Sequence, residues 1–115
     1  MNGPKIVTGK VLLTSPAGSG AVLHVKIEDT SRADAAARVV AEAVMPITRP
    51  MAVGEEVPFS VTVSDADERA HYGVRIHVDT TGSGDVTEGD LVSTEAQPVI
   101  TYGHPSTVRV AARKI

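Results

Sequence analysis

The chain has 115 residues and no cysteine, which allows one domain with one apolar core and excludes disulfides, thiolate metal sites and cysteine nucleophiles. Its net charge is −3, its eleven basic residues are scattered, and its aromatics are Phe59, Tyr72 and Tyr102 alone; no nucleic-acid partner is expected without a basic patch and stacking rings. No apolar run approaches the ~20 residues of a membrane-crossing helix, and Met1 to Lys5 does not open a signal peptide, so the chain is expected to carry no membrane anchor and, as the sequence stands, to be cytoplasmic.

Period-two alternation of β-branched residues dominates the chain, and alternation marks half-buried strands. The first strand runs from Lys5 to Leu13, with the odd positions Val7, Gly9, Val11 and Leu13 forming the more apolar face. It ends in a loop, Thr14-Ser15-Pro16-Ala17-Gly18-Ser19-Gly20. The second strand, Ala21 to Asp29, turns Leu23, Val25 and Ile27 inward and Val22, His24, Lys26 and Glu28 outward. Asp29 to Asp34 is a polar turn in which Asp29 and Ser31 are expected to bond nearby backbone, and Arg32 to pair with a carboxylate.

The alanines of Ala35 to Ala43 favour helix, and Asp34 could cap one. Yet Arg38 to Met45 alternates and Pro46 closes the run, and an isolated helix of that length is marginal, so a strand from Arg38 is predicted. A turn at Met51 to Glu56 leads to Val57–Val63, with Val57, Phe59, Val61 and Val63 inward. Ser64 to Ala70 is a charged loop or a single helical turn. His71 to Asp79 alternates most cleanly: Tyr72, Val74, Ile76 and Val78 in, and His71, Gly73, Arg75, His77 and Asp79 out. Thr80 to Asp90 reads as a polar loop or hairpin, Leu91 to Glu95 as a short strand, Gln97 to Pro105 as a connection, and Ser106 to Arg113 as the closing strand. The expected interior is Val11, Leu23, Val25, Ile27, Phe59, Val61, Tyr72, Val74, Ile76, Val78, Val108 and Val110. About seven short strands and no long helix point to an all-β single domain over residues 1–115. The expected architecture is an antiparallel β-sandwich, immunoglobulin- or transthyretin-like.

Few residues are spaced for chemistry. His24 and His77 both lie on outward faces and would approach if their strands were neighbours. A metal site usually needs three or four protein ligands, and no third is fixed by spacing, so the pair reads as solvated surface side chains. His71 and His104 have no spaced partner. The acidic loops Asp65 to Glu68 and Asp85 to Asp90 do not match a calcium-binding spacing. Gly18-Ser19-Gly20 and Gly82-Ser83-Gly84 do not run from a strand into a helix as a phosphate cradle does, and there is no Gly-x-Ser-x-Gly elbow. No catalytic, cofactor-binding or metal-binding residue is assigned, no cofactor is expected, and no partner-binding residue is fixed by the sequence.

Several segments, in this order, resemble a known bacterial family. They are Val7-Thr8-Gly9-Lys10-Val11, Leu23 to Ala35, Val40-Ala41-Glu42, Val57-Pro58-Phe59-Ser60-Val61, Tyr72-Gly73-Val74-Arg75-Ile76, and Gln97-Pro98-Val99-Ile100-Thr101-Tyr102-Gly103. Together they resemble the YbaY/YscW family from about Ile6 to Ala112. The most specific pieces are the Asp29 to Asp34 turn and the Pro98 to Gly103 segment. The best-known relatives are envelope lipoproteins that act as pilotin-like chaperones in type III secretion. The resemblance implies a β-sandwich without catalytic residues. The leader and lipidated cysteine of the lipoprotein relatives are not in this sequence, and Thr80 to Asp90 is longer than the family's usual turn.

The function expected is therefore a non-catalytic binding or chaperone-like domain. It would engage an envelope or secretion-related protein by a sheet edge or groove. The alternative is a small-molecule or metal-binding domain that uses polar end loops. The strand from Arg38 to Met45 has one charge inside it, Glu42, and is poorly guarded as an edge, so it is the expected contact for a partner or for a homodimer.

Overall fold

A computed structural model describes residues 3–32 and 35–115. Alternation becomes pairing as follows. Strands β1 (Gly3–Leu13), β2 (Val22–Asp29), β3 (Arg38–Pro46), β4 (Glu56–Ala66), β5 (Tyr72–Asp79), β6 (Leu91–Val92), β7 (Pro98–Val99) and β8 (Thr107–Lys114) form the fold. The stretch from Arg38 is a strand, as its alternation predicts: its partner β2 supplies the ladder that outweighs alanine's local preference for helix.

The path of hydrogen-bonded neighbours is β3-β2-β5-β6-β8-β1-β4, with β7 attached to β5. Most pairs are antiparallel, but β1 and β8 run parallel, Gly9 opposite Val108 and Val11 opposite Val110. This corrects the expectation of an antiparallel immunoglobulin- or transthyretin-like sandwich. The all-β class holds, but the strands follow one another around a mixed sheet that is nearly closed into a barrel. The two-residue β6 makes the difference: it pairs with β5 through Val78–Leu91 and with β8 through Leu91–Lys114. A sandwich would leave two separate sheets at that point.

The barrel's seam lies between β3 and β4, which are neighbours in space but share no ladder. At one end of the seam the connections on either side are laced together. Ala17 and Met51 exchange backbone hydrogen bonds, and the Ile47 N–H donates to the Ala21 carbonyl at 2.8 Å.

All twelve expected interior residues are buried, joined by Val7, Leu13, Leu91 and Val99 among others. Inward phase on β3 falls on Ala41, Ala43 and Met45, which sit opposite Ile27, Val25 and Leu23. Ile76 is fully buried at the centre of β5. Ile76→Val removes one methylene there and should lower stability by about 1 kcal/mol in denaturant unfolding. A change of a few tenths or less would mean that the strand is phased the other way.

Candidate functional site

The outward face of β5 is not the solvated face its alternation suggests. His77 and Asp79 are 5% and 2% exposed, because residues 80–90 fold back over them. Two carboxylates hold that loop down. Asp79 accepts hydrogen bonds from the backbone N–H groups of Thr81 at 3.1 Å, Gly82 at 3.0 Å and Gly84 at 2.8 Å. Gly82 and Gly84 take φ values of 76° and 84° to aim those N–H groups inward. Asp90, fully buried, accepts from His77 Nε2 at 2.7 Å, from Thr80 N–H at 2.9 Å and Thr80 Oγ1 at 2.7 Å, and from Thr87 N–H at 3.1 Å.

These donors decide the charge. The Gly84 N–H, with those of Thr81 and Gly82, holds the Asp79 carboxyl below its usual range against the opposing effect of burial. Burial pushes Asp90 up, and the donors from His77, Thr80 and Thr87 outweigh it, so its carboxyl lies well below the usual range.

His24 and His77 meet. They are directly opposite in the β2–β5 ladder, and their rings stack with centroids 5.5 Å apart and planes 18° apart. Each ring is held on its far side by an acid: His24 Nδ1 lies 3.0 Å from Glu42 Oε2 on β3, as His77 Nε2 does at 2.7 Å from Asp90. The expectation of two solvated histidines is thus corrected for His77, which the loop covers. The alternation was right about the face and carried no signal for its cover. The acids at both ends of Thr80 to Asp90, with glycines between, are the signal that could have shown a folded-back loop.

His77, Asp79 and Asp90 bring possible ligand atoms within 4.8 Å of one another. Both carboxylates already accept hydrogen bonds from residues 80–90, so these acids serve to hold the loop. Gly18-Ser19-Gly20 lies in the laced end of the seam, and Asp67 caps its own turn by accepting from Arg69 N–H at 2.9 Å. Neither Gly18-Ser19-Gly20 nor the Asp65 to Glu68 loop gathers into this site, whereas Gly82-Ser83-Gly84 does, through the two glycine N–H groups on Asp79.

The remaining singled-out residues gather at the other end of β5. Asp29 accepts from Ser31 N–H at 2.9 Å, the expected local turn, while Ser31 Oγ accepts from His71 N–H, also at 2.9 Å. Arg38 is the cation that approaches Asp29, at 3.9 Å; Arg32 is exposed and the expected carboxylate pairing does not form among the described residues. Asp34 lies outside the described residues. The His71 ring stacks on Tyr102, centroids 4.2 Å apart. Tyr102 donates its hydroxyl to the Arg69 carbonyl and Thr101 donates to the Ala70 carbonyl, both at 2.6 Å. The two segments most specific to the family resemblance therefore clamp the same short stretch, residues 69–71, from two sides. Ile100 and Tyr102 take φ values of 74° and 56° to do so, a left-handed backbone that costs non-glycine residues on the order of 1–3 kcal/mol each.

Comparison with known proteins fits this architecture. A solved structure described as an alternative pilotin from the type II secretion system of Vibrio cholerae superposes with a TM-score of 0.78. It is 19% identical, with 97% of each chain covered, which shows a shared fold. No curated protein matches the chain. The profile of a family described as type III secretion system lipoprotein chaperone (YscW) matches residues 4–111. The chain belongs to the YscW family of type III secretion system lipoprotein chaperones.

Proposed function

We propose that this domain is a non-catalytic, chaperone-like module of a secretion apparatus that holds a secretion-related envelope protein of the secretin kind along the free edge of β3. Family membership supports the class of function and of partner. The observation that carries the mode is the edge itself. Strand β3 is hydrogen-bonded to β2 only, and nothing ladders onto its other side among the described residues. An unpaired edge is a template for an added strand. Its outward side chains include Val39 and Val44, 46% and 55% exposed, and Glu42 is turned away to His24. Pro46 is the only proline in the strand and stands at its end. The same edge is the contact for a homodimer in the absence of partner.

The test is a pair of lysines, the side chain that natural edges use as a guard. Val39→Lys with Val44→Lys changes only exposed positions, so the melting temperature should stay where it is. Co-purification with the co-expressed secretin of the same organism should fall about tenfold or more, and sedimentation should show less dimer. Unchanged capture by the double variant would rule out the β3 edge as the contact.

A further inference from the structure

We infer that His24 and His77 form a binding site for a divalent late transition ion on the outer face of β2 and β5. The proposal is independent of the protein partner.

The first argument is the nitrogen inventory. Each imidazole spends one ring nitrogen on an acid, His24 Nδ1 on Glu42 and His77 Nε2 on Asp90. That leaves His24 Nε2 and His77 Nδ1 without a hydrogen-bond partner among the described residues. Neither nitrogen is cut off from solvent: the His24 side chain is 19% exposed, and among the described residues the one buried side-chain polar atom without a partner is Thr87 Oγ1, not His77 Nδ1. Two unpaired imidazole nitrogens open to solvent on adjacent strands are available to one ion.

The second argument is the support. A metal-binding histidine typically donates its other ring N–H to a carboxylate, which fixes the tautomer and raises the basicity of the ligating nitrogen. Both histidines have that carboxylate already in place. Asp90 is rigid, held by Thr80 and Thr87 as well.

The third argument is charge. Glu42, Asp79 and Asp90 lie around the two rings. The cations on the neighbouring rungs are Arg75, which is held by Glu28 at 2.9 Å, and Lys26, which is opposite Glu42. Local charge therefore favours a cation. Two imidazoles and no thiolate suit copper(II), nickel(II) and zinc(II), and the usual order of affinities puts copper first. Asp79 and Asp90 keep their N–H donors and stay out of the coordination, so water completes it.

The rings are nearly parallel, and the free lone pair of each lies in its own plane. One ring must tilt for both to reach one ion. His24 is the one that can, because it is the more exposed, it is held by a single surface acid, and a histidine's second torsion has a broad well. Entry is from solvent past His24, with His77 as the fixed half.

The experiment is calorimetric titration of the full chain with copper(II), nickel(II) and zinc(II) chlorides, one at a time, with histidine NMR spectra recorded alongside. The expected result is one ion per chain, copper tightest, with the His24 and His77 ring signals shifted or broadened and those of His71 and His104 unmoved. At an ion concentration about a hundred times the dissociation constant, the melting temperature should rise by about 5 °C or more. His24→Ala, at a partly exposed position that leaves the Asp90 network intact, should abolish the bound ion and the thermal rise. Glu42→Gln should weaken binding by about tenfold. Binding that survives His24→Ala unchanged, or none in the wild-type chain, overturns the site.

Discussion

Gly9→Ala should leave the protein either unfolded or less stable by about 3 kcal/mol or more, measured by denaturant unfolding of the soluble fraction. Gly9 stands mid-strand in β1 on the inward face, between β4 and β8. A Cβ built there would come within 2.0 Å of the Val108 carbonyl oxygen, 2.9 Å of its carbonyl carbon and 3.0 Å of the Phe59 ring. The ring could turn aside. The carbonyl cannot, because it belongs to the parallel ladder that joins β1 to β8. Glycine in a strand interior marks a place where another backbone comes close, and here that approach is what lets the sheet bend round toward closure. A second substitution separates this reading from a general intolerance of β1 to change. Ile6→Ala, on the outward face of the same strand and 56% exposed, should cost less than about 0.5 kcal/mol. A Gly9→Ala variant as stable as the wild type would mean that β1 and β8 do not approach this closely.

The contrast shows what alternation can and cannot carry. It placed β1 to β5 and β8 and put the right faces inward, because a buried face forces period two whatever lies beyond it. It could not tell a sandwich from a nearly closed barrel, since both bury one face of every strand. Closure depends on a parallel β1–β8 pair, on a two-residue strand at Leu91–Val92 that has no period to read, and on the room left at Gly9. The glycine was visible in the sequence, but its reason was not.

The site was half legible for a similar reason. That His24 and His77 share an outward face follows from phase. That they stack follows from register, Leu23 opposite Val78 and hence His24 opposite His77, which no local pattern states. Likewise Asp29 and Ser31 read correctly as a turn. The partner of Ser31, the His71 N–H, lies 40 residues away and could only be seen once the chain was folded. The strained Ile100 and Tyr102 carried no sequence signal at all, because isoleucine is among the residues least suited to a left-handed backbone.

Asp90→Ala should cost about 4 kcal/mol or more and free the 80–90 loop. The substitution removes one fully buried carboxylate but strands its donors: His77 Nε2–H, the Thr80 N–H and hydroxyl, and the Thr87 N–H. Each buried donor left without an acceptor costs about 1–3 kcal/mol, and a charged acceptor makes the loss larger. Hydrogen exchange should show the 80–90 amides losing protection while those of β1 and β4 keep theirs, because the loop is fastened to β5 and to Ile115 after β8, and no bond holds it to β1 or β4 among the described residues. The same group sets a pH dependence. Its folded pKa is depressed, so its contribution is fully present above the ordinary unfolded carboxylate value of about 3.9 and is lost as pH falls below that value toward the lower folded one. Asp79, depressed for the same kind of reason, adds to the loss in the same window. Wild-type stability should therefore fall as pH drops below about 4, and that fall should be shallower in Asp90→Asn, which keeps an acceptor but no longer titrates. If the variant and the wild type lose stability in parallel as the pH falls, the carboxylate of Asp90 is not what ties the loop to the barrel.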